Sequence, residues 1–241
     1  MSGHSKWAQI KRSKGAADVK RGALFGKLSK QITLAARSGA NPDMNFKLRL
    51  TIEKAREISM PNENIERAIK KGAGADGSLQ MQSLTYEGYG PHGTAFIVEA
   101  VSDNPNRTFQ NIRLIFTRNA GTIGQPGSVS WMFQTKGQIL VERAGATDSA
   151  MDALELAAID AGASDVRRSE EGMEVYCKAE DLEKIKAALA AAGAKIAQAE
   201  IIMESSQGVD LAPDQIEAVQ KLYDGLSDDE DVVAVHTSAN L

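Results

Sequence analysis

The character of the sequence changes across one glycine-rich segment, residues 72–83 (GAGADGSLQMQS). Before this segment, apolar residues recur at helical spacing; after it, short apolar runs typical of strands alternate with helical stretches. The segment itself has no periodicity, and its composition is that of a flexible linker. We therefore predict an α+β protein in which a helical N-terminal domain, residues 1–75, precedes two α/β domains.

Three amphipathic stretches predict the helices of the first domain. The first covers residues 16–37, where one face of a helix would carry Leu24, Phe25, Leu28, Ile32, Ala35 and Ala36. A second stripe consists of Met44, Leu48, Ile52 and Ala55. Pro61 and Asn62 open a third, shorter helix that ends near Gly72, with Lys70 and Lys71 in its last turn, where the helix macrodipole favours cations.

The remainder of the chain predicts two α/β domains, one inserted into the other. Residues 136–205 follow the order strand, helix, strand, strand, helix, strand, which is the ferredoxin-like βαββαβ arrangement. Residues 84–135 and 206–241 flank this unit and carry further strands and helices, including the apolar run 94–101 and a closing strand at 232–236. We predict that they form one discontinuous domain around the insert.

The net charge changes sign at the same segment where the hydrophobic periodicity changes. Residues 1–75 contain 16 Lys and Arg against 6 Asp and Glu, a net charge of +10, whereas residues 76–241 contain 12 against 26, a net charge of −14. Such asymmetry indicates a polyanionic partner for the basic part. The alternative is a solvated basic surface that the acidic remainder balances.

The basic residues closest to the N-terminus are the candidate contacts to nucleic-acid phosphates, because Lys and Arg neutralise phosphates and release counterions. Trp7 lies among them and either stacks on a base or closes the helical domain. The candidate nucleic-acid-binding residues are Lys6, Trp7, Lys11, Arg12, Lys14, Lys20, Lys27, Lys30 and Arg37.

Other site chemistries are not favoured. Residues 88–93 (GYGPHG) match the dinucleotide fingerprint in letters, but a strand-like run follows instead of a helix, so we predict a turn between strands and no cofactor. The histidines have no metal-binding spacing, and we predict a core position for Cys177. The loop 119–128, which follows a helix bearing three arginines, either holds phosphate through its amides or redirects the chain.

We expect a cytoplasmic protein that does not enter a membrane. The longest small or apolar run, 187–194, is far shorter than the roughly 20 residues of a membrane span. The first 30 residues are rich in Lys and Arg without the apolar core of a secretory signal. A single cysteine fits a reducing compartment.

Four segments resemble the YebC family of bacterial proteins, also called PmpR-like regulators: MSGHSKWAQIKRSKGAADVKRGALFGKLSKQI, MPNENIERAIKKGAG, YEGYGPHG and GQPGSVSWMF. The resemblance extends over the whole chain and implies three domains, the third inserted into the second. It also implies a cytoplasmic DNA-binding transcriptional regulator. Mitochondrial relatives act as a translational activator of cytochrome oxidase. A competing role in the same family is that of a factor that binds the ribosome and relieves stalling on proline-rich nascent chains. Because the family-like opening motif begins at Gly3, we expect no mitochondrial presequence ahead of it.

These observations leave several functions open. We expect a non-enzymatic regulator that binds DNA, ribosomal RNA or both, and no stretch shows the clustered Asn, Gln and Arg of a helix that reads bases. An enzyme with a site at the junction of the acidic domains rests on analogy of fold alone. The acidic part, with net charge −14, could also bind a basic protein or dimerise through sheet edges.

Overall fold

A computed structural model describes residues 19–74 and 81–240. Contacts divide these residues into two compact units. One unit contains residues 19–74, 81–131 and 209–239, and the other contains residues 132–208 with Asn240. The N-terminal helices and the discontinuous α/β part, which the sequence pattern separates, thus belong to one compact unit.

Three helices begin the first unit: α1 (Val19–Ala36), α2 (Phe46–Glu57) and α3 (Asn62–Gly72). Asn45 caps α2 by accepting a hydrogen bond from the amide of Leu48, and α3 carries Glu63 in its first turn and Lys70 and Lys71 in its last. The shared core consists of Ile32, Ala35, Ala36, Leu48, Ile52, Ala55, Met60, Ile65 and Ala68.

Two residues of the predicted apolar stripes lie outside this core. Leu24 is 38% exposed and Met44 is 86% exposed. Met44 lies in the turn before α2, which begins at Phe46, so the helical spacing that includes it in the stripe does not apply there. The prediction of three helices is confirmed.

Helices α1 and α3 touch closely at Gly72. A β-carbon at this position would lie 2.3 Å from the carbonyl oxygen of Thr33 and 2.7 Å from the β-carbon of Ala36. Close to this contact, the Thr33 hydroxyl donates a 3.2 Å hydrogen bond to the carbonyl of Ala68. The absence of a side chain at Gly72 therefore sets the spacing of the two helices.

We expect Gly72→Ala to lower the free energy of unfolding by about 1–3 kcal/mol, because the added methyl group must displace the α1 backbone. Gly26→Ala is the matched control, since Gly26 lies in α1 and nothing lies within 4 Å of the position of its β-carbon. The control should be neutral or slightly stabilising because alanine favours helix. Urea denaturation of both variants tests this, and equal midpoints would contradict it.

The rest of the first unit is a four-stranded antiparallel sheet with two helices. Its strands are β1 (Gln82–Tyr89), β2 (Ala95–Ser102), β3 (Thr122–Ile123) and β8 (Val232–Thr237), in the spatial order β3-β1-β2-β8. Its helices are α4 (Pro105–Arg118) and α7 (Pro213–Asp228). Phe96 of β2 and Phe116 of α4 pack edge to face with ring centroids 6.1 Å apart. Helix α1 also contacts β2 and β8.

The segment 88–93 is a connection between strands, as predicted. Strands β1 and β2 pair antiparallel in continuous register from Gln82–Ser102 to Tyr89–Ala95, and a short 3₁₀ turn at 91–93 joins them. His92 in this turn has a φ of 59°. Because no helix N-terminus follows the glycines, the segment lacks the geometry that holds a pyrophosphate.

The second unit has the predicted ferredoxin-like order. Its elements are β4 (Phe133–Glu142), α5 (Asp148–Ala161), β5 (Asp165–Arg168), β6 (Gly172–Cys177), α6 (Leu182–Ala191) and β7 (Lys195–Ser205). The sheet is antiparallel with the order β5-β6-β4-β7. Strand β4 begins six residues before the predicted start at Ile139, because its polar first half pairs with the end of β7. The predicted α+β fold is confirmed.

Candidate nucleic-acid interface

The described residues cover part of the predicted phosphate-binding set. Lys6, Trp7, Lys11, Arg12 and Lys14 lie outside them, and Lys20 lies in the first turn of α1, where the structure describes the backbone alone. Lys27 and Lys30 follow on α1, and Arg37 lies directly after its last residue. The structure thus gives side-chain partners for three of the predicted residues.

Lys27 and Lys30 meet the acidic segment Asp228–Asp231, which links α7 to β8. The Lys27 ammonium donates to the carbonyl of Ser227, at the edge of this segment. The Lys30 ammonium donates to the carbonyl of Glu230 and to Oδ1 of Asp231, both at 2.7 Å. Burial lowers the pKa of Lys27, and the nearby Asp229 and Asp228 offset part of that shift.

Asp231 is the buried centre of this contact. Its residue exposure is 2%, and besides Lys30 it accepts hydrogen bonds from the Thr108 hydroxyl at 2.7 Å and from Arg107 at 3.1 Å. Burial by itself would raise the pKa of this carboxyl, but the hydrogen bonds from Lys30, Thr108 and Arg107 outweigh it and lower the pKa to about 2. Asp231 therefore stays ionised at neutral pH and fixes Lys30 against the sheet.

Arg37 has a different internal partner. Its Nη1 donates a 2.6 Å hydrogen bond to the carbonyl of Met81, and the side chain remains exposed. Arg37 forms no ion pair with any of the described residues, so a phosphate could approach this guanidinium without displacing one of their carboxylates. At Lys27 and Lys30, by contrast, a phosphate would compete with the acidic segment. Phosphate contact by these three residues stays a prediction.

Further cations are exposed on α2 and α3, outside the predicted set of nucleic-acid-binding residues. Lys47, Arg56, Arg67 and Lys70 are exposed and Lys71 is half-buried. Lys70 and Lys71 lie in the last turn of α3, where the helix macrodipole favours cations. No local signal in the sequence distinguished them from ordinary surface cations. Because Lys27 and Lys30 have internal partners, the exposed cations of α2 and α3 become further candidates for a basic surface.

The glycine-rich loop after α4 is organised by a buried carboxylate. Glu87 accepts hydrogen bonds from the amides of Gly127, Val129 and Ser130 at 2.7, 2.7 and 2.8 Å. Burial raises the pKa of this carboxyl, but the three amide hydrogen bonds prevail, so the pKa is lowered. Within the predicted loop 119–128, Glu87 thus engages the amide of Gly127, and the amides of Gly121, Gly124 and Ser128 donate to main-chain carbonyls. This favours the alternative that the loop redirects the chain.

Two aromatic side chains at this loop are exposed and share one acceptor. The Tyr89 hydroxyl and the Trp131 Nε1 donate to the carbonyl of Ser128 at 2.8 and 3.0 Å. Tyr89 is 44% exposed and Trp131 is 66% exposed. Their polar tips are satisfied by the backbone, so the rings are held in place at the surface.

The described residues 19–74 and 81–240 contain no group of three or more His, Cys, Asp and Glu side chains arranged to hold a metal ion. Cys177 is buried in β6, as predicted, and burial together with Asp181 raises the pKa of its thiol to about 11. A thiol with this pKa remains protonated and is a poor nucleophile. Among the same described residues, no helix is long and apolar enough to cross a membrane.

Comparison with known proteins agrees with this architecture. Residues 5–75 match the family model described as the TACO1/YebC protein N-terminal domain, and residues 81–239 match the model described as the TACO1/YebC second and third domain. The chain belongs to the TACO1/YebC family. The resemblance noted in the sequence is therefore confirmed.

YebC-family relatives match over nearly their whole length. A "probable transcriptional regulatory protein" from Desulfosudis oleivorans is 49% identical over 100% of this chain and 97% of its own. One of the same description from Thermoanaerobacter pseudethanolicus is 46% identical over 100% of this chain and 98% of its own. A crystal structure of a conserved hypothetical protein from Aquifex aeolicus superposes with a TM-score of 0.87 at 40% identity, covering 98% of this chain and 96% of that one.

The family-like segments of the sequence fall on particular elements of this fold. MPNENIERAIKKGAG forms α3 with its flanking residues, YEGYGPHG forms the end of β1 and the turn to β2, and GQPGSVSWMF forms the loop held by Glu87. Helix α3 is thus the YebC-like segment that carries exposed cations in the described residues.

Proposed function

We propose that this YebC-family protein is a non-enzymatic, cytoplasmic, DNA-binding transcriptional regulator that contacts nucleic-acid phosphates through its basic N-terminal domain. The observation that carries the proposal is the charge division, +10 over residues 1–75 against −14 over residues 76–241. The names of the relatives, probable transcriptional regulatory proteins, support the regulatory role.

The described helices support a surface that binds phosphates more readily than one that reads bases. Helix α1 packs against α2 and α3 and also against β2 and β8, so its second half is not free to enter a DNA groove. Exposed cations occur on both α2 and α3. Contacts of this kind position a protein on a nucleic acid without specifying its sequence.

The positive charge of residues 1–75 also favours a second candidate, a translation factor that binds ribosomal RNA and relieves stalling on proline-rich nascent chains. Folded RNA is recognised mainly by shape and phosphate contacts, which a dispersed basic surface can supply. A transcriptional regulator should occupy promoter DNA in the cell, whereas the translation factor should occupy ribosomal RNA. The nucleic acid that the protein binds in cells therefore separates the two candidates.

We expect the triple variant K11Q/R12Q/K14Q to bind a duplex DNA or a ribosomal RNA fragment about tenfold more weakly at low salt, with a salt-dependence slope smaller by about one for each phosphate that is no longer neutralised. The matched control is K178Q/K184Q/K221Q, which removes the same charge from exposed lysines of the acidic part. Fluorescence anisotropy over a salt series measures both. Equal affinity and slope in the two variants would sink the proposal.

Crosslinking in growing cells, followed by sequencing of recovered DNA and RNA, then identifies the target. Enrichment of promoter DNA supports transcriptional regulation. Enrichment of ribosomal RNA with little DNA contradicts it and supports the translational role. The K11Q/R12Q/K14Q variant should lose whichever enrichment the unmodified protein shows.

A further inference from the structure

A groove runs between α1 and α3 on the surface of the helical layer. It has a volume of about 310 Å³, and Met81 lies at its edge. Its polar lining comes from Ser29, Lys30 and Thr33 on α1 and from Asn64, Arg67 and Lys71 on α3. None of these six residues belongs to the acidic part of the chain, and just one of them, Lys30, is in the predicted phosphate-binding set.

Helices α1 and α3 touch closely beside the groove. Gly72 lies against Thr33 and Ala36 with no room for a side chain, and the Thr33 hydroxyl donates a hydrogen bond to the carbonyl of Ala68. Thr33 and Ala68 also line the groove, so this contact forms part of its wall.

Three cations are among the residues that line the groove. Lys30, Arg67 and Lys71 face the groove, and no Asp or Glu is among the described residues that line it. The Lys30 ammonium is paired with Asp231 at 2.7 Å. Across residues 19–74 and 81–240, by contrast, the side chains of Arg67 and Lys71 form no ion pair or hydrogen bond.

Two cations of the groove are neighbours on one helix face. Arg67 and Lys71 are four residues apart on α3, and like charges at this spacing disfavour the helix, so a bound anion would be favourable there. Lys30 lines the opposite wall, with its ammonium paired to Asp231. The Ser29 hydroxyl and the Asn64 amide add neutral donors to the same lining.

We propose that the α1–α3 groove is a phosphate-binding site. The donors match this ligand, since a guanidinium offers a planar pair of N–H groups to phosphate oxygens, a lysine adds a point charge, and hydroxyl and amide donors complete the set. The assignment of the phosphate to a nucleic-acid backbone rests on the proposed function. A free nucleotide or another phosphorylated small molecule is the other source of the same chemistry.

The test compares two double variants with the same loss of charge. R67Q/K71Q removes the two groove cations that have no partner among residues 19–74 and 81–240, whereas R56Q/K70Q removes exposed cations of α2 and α3 that do not line the groove. All four positions are exposed or half-buried, so both variants should keep the thermal midpoint of the unmodified protein. Two probes are used: a fluorescent oligonucleotide, as duplex DNA and as single-stranded RNA, and inorganic phosphate followed by NMR shifts of Ser29 and Asn64.

We expect R67Q/K71Q to weaken oligonucleotide binding about tenfold at low salt and to reduce the salt slope by about one to two, with a smaller effect in R56Q/K70Q. We also expect phosphate to shift the Ser29 and Asn64 signals in the unmodified protein and in R56Q/K70Q, but not in R67Q/K71Q.

The outcomes separate this inference from the proposed function. Oligonucleotide binding that falls equally in both variants, with no phosphate-induced shifts, would overturn the groove and leave the proposed function standing. Phosphate shifts that require Arg67 and Lys71, in a protein that binds no oligonucleotide, would support the groove with a small phosphorylated ligand and overturn the nucleic-acid assignment. An absence of both responses would overturn both.

Discussion

Asp231→Ala is expected to lower the free energy of unfolding by about 3 kcal/mol, the lower end of the range for breaking a buried ion pair by removing one partner. The substitution removes the acceptor of Lys30, Thr108 and Arg107 at once. The Lys30 side chain is 19% exposed, so water replaces the missing carboxylate poorly. Arg107 is 51% exposed and recovers hydration more easily, which places the effect at the low end.

Glu230→Ala is the matched control for this prediction, since Glu230 is the exposed neighbour in the same acidic segment. It contributes its main-chain carbonyl to Lys30, and this carbonyl survives the substitution. We expect a change within about 0.5 kcal/mol. Denaturant unfolding of both variants at neutral pH is the measurement, and similar destabilisation by the two substitutions would show that Asp231 has no special role.

The same carboxyl predicts an acid dependence. Its pKa is about 2 in the folded protein, below the ordinary value of 3.8, so protons bind more weakly in the folded state. The stabilisation is therefore fully present above about pH 4 and is lost as the pH falls toward 2. The stability difference between the unmodified protein and Asp231→Asn should shrink over this interval. A difference that stays constant would contradict the assigned pKa.

Glu87→Ala is the second substitution with a large expected effect, about 3 kcal/mol in the free energy of unfolding. It leaves the buried amide of Val129 and the part-buried amides of Gly127 and Ser130 without their acceptor. An unsatisfied buried donor costs about 1–3 kcal/mol, and a part-buried donor that water reaches costs less. Glu87 is 8% exposed, and Val129 is fully buried. We expect faster amide hydrogen exchange at these three residues as the loop opens.

Thr85→Ala provides the comparison for Glu87, because Thr85 lies on the same strand and its side chain is exposed. Its stability should change by no more than about 0.5 kcal/mol, and exchange at residues 127–130 should stay slow. If Glu87→Ala leaves both stability and exchange unchanged, then the carboxylate does not hold the loop. Glu87→Gln should fall between the two, since the amide side chain keeps one acceptor oxygen.

The hydrophobic pattern predicted helices and their core residues best where a helix buries one apolar face. The stripes on α1 and α2 identified Ile32, Leu48 and Ile52 as core because a helix with one apolar face buries that face. The patterns misplaced Leu24 and Met44, which continue the apolar spacing beyond the packed surface. They also missed the first half of β4, where polar residues in a paired strand do not show the apolar alternation.

The candidate site was harder to predict than the fold. Lys27 and Lys30 resemble free phosphate contacts in the sequence, and their acidic partners lie about 200 residues away. Lys71 resembles an ordinary cation at a helix C-terminus, yet it lines a groove with Arg67. Charge in a sequence identifies a basic domain, but whether each cation has an internal partner depends on contacts between distant segments.

The sequence by itself determined the family, the α+β architecture and the opposite charges of the two parts, because periodicity, glycine position and charge counts are properties of the chain alone. The tertiary structure decided which of the acids at 228–231 is buried, which amides Glu87 engages, and which cations face a groove. These depend on burial and on distances of a few ångströms between segments far apart in the chain. Electrostatic interactions are governed by those distances and by solvent exposure, and neither is written in the local pattern.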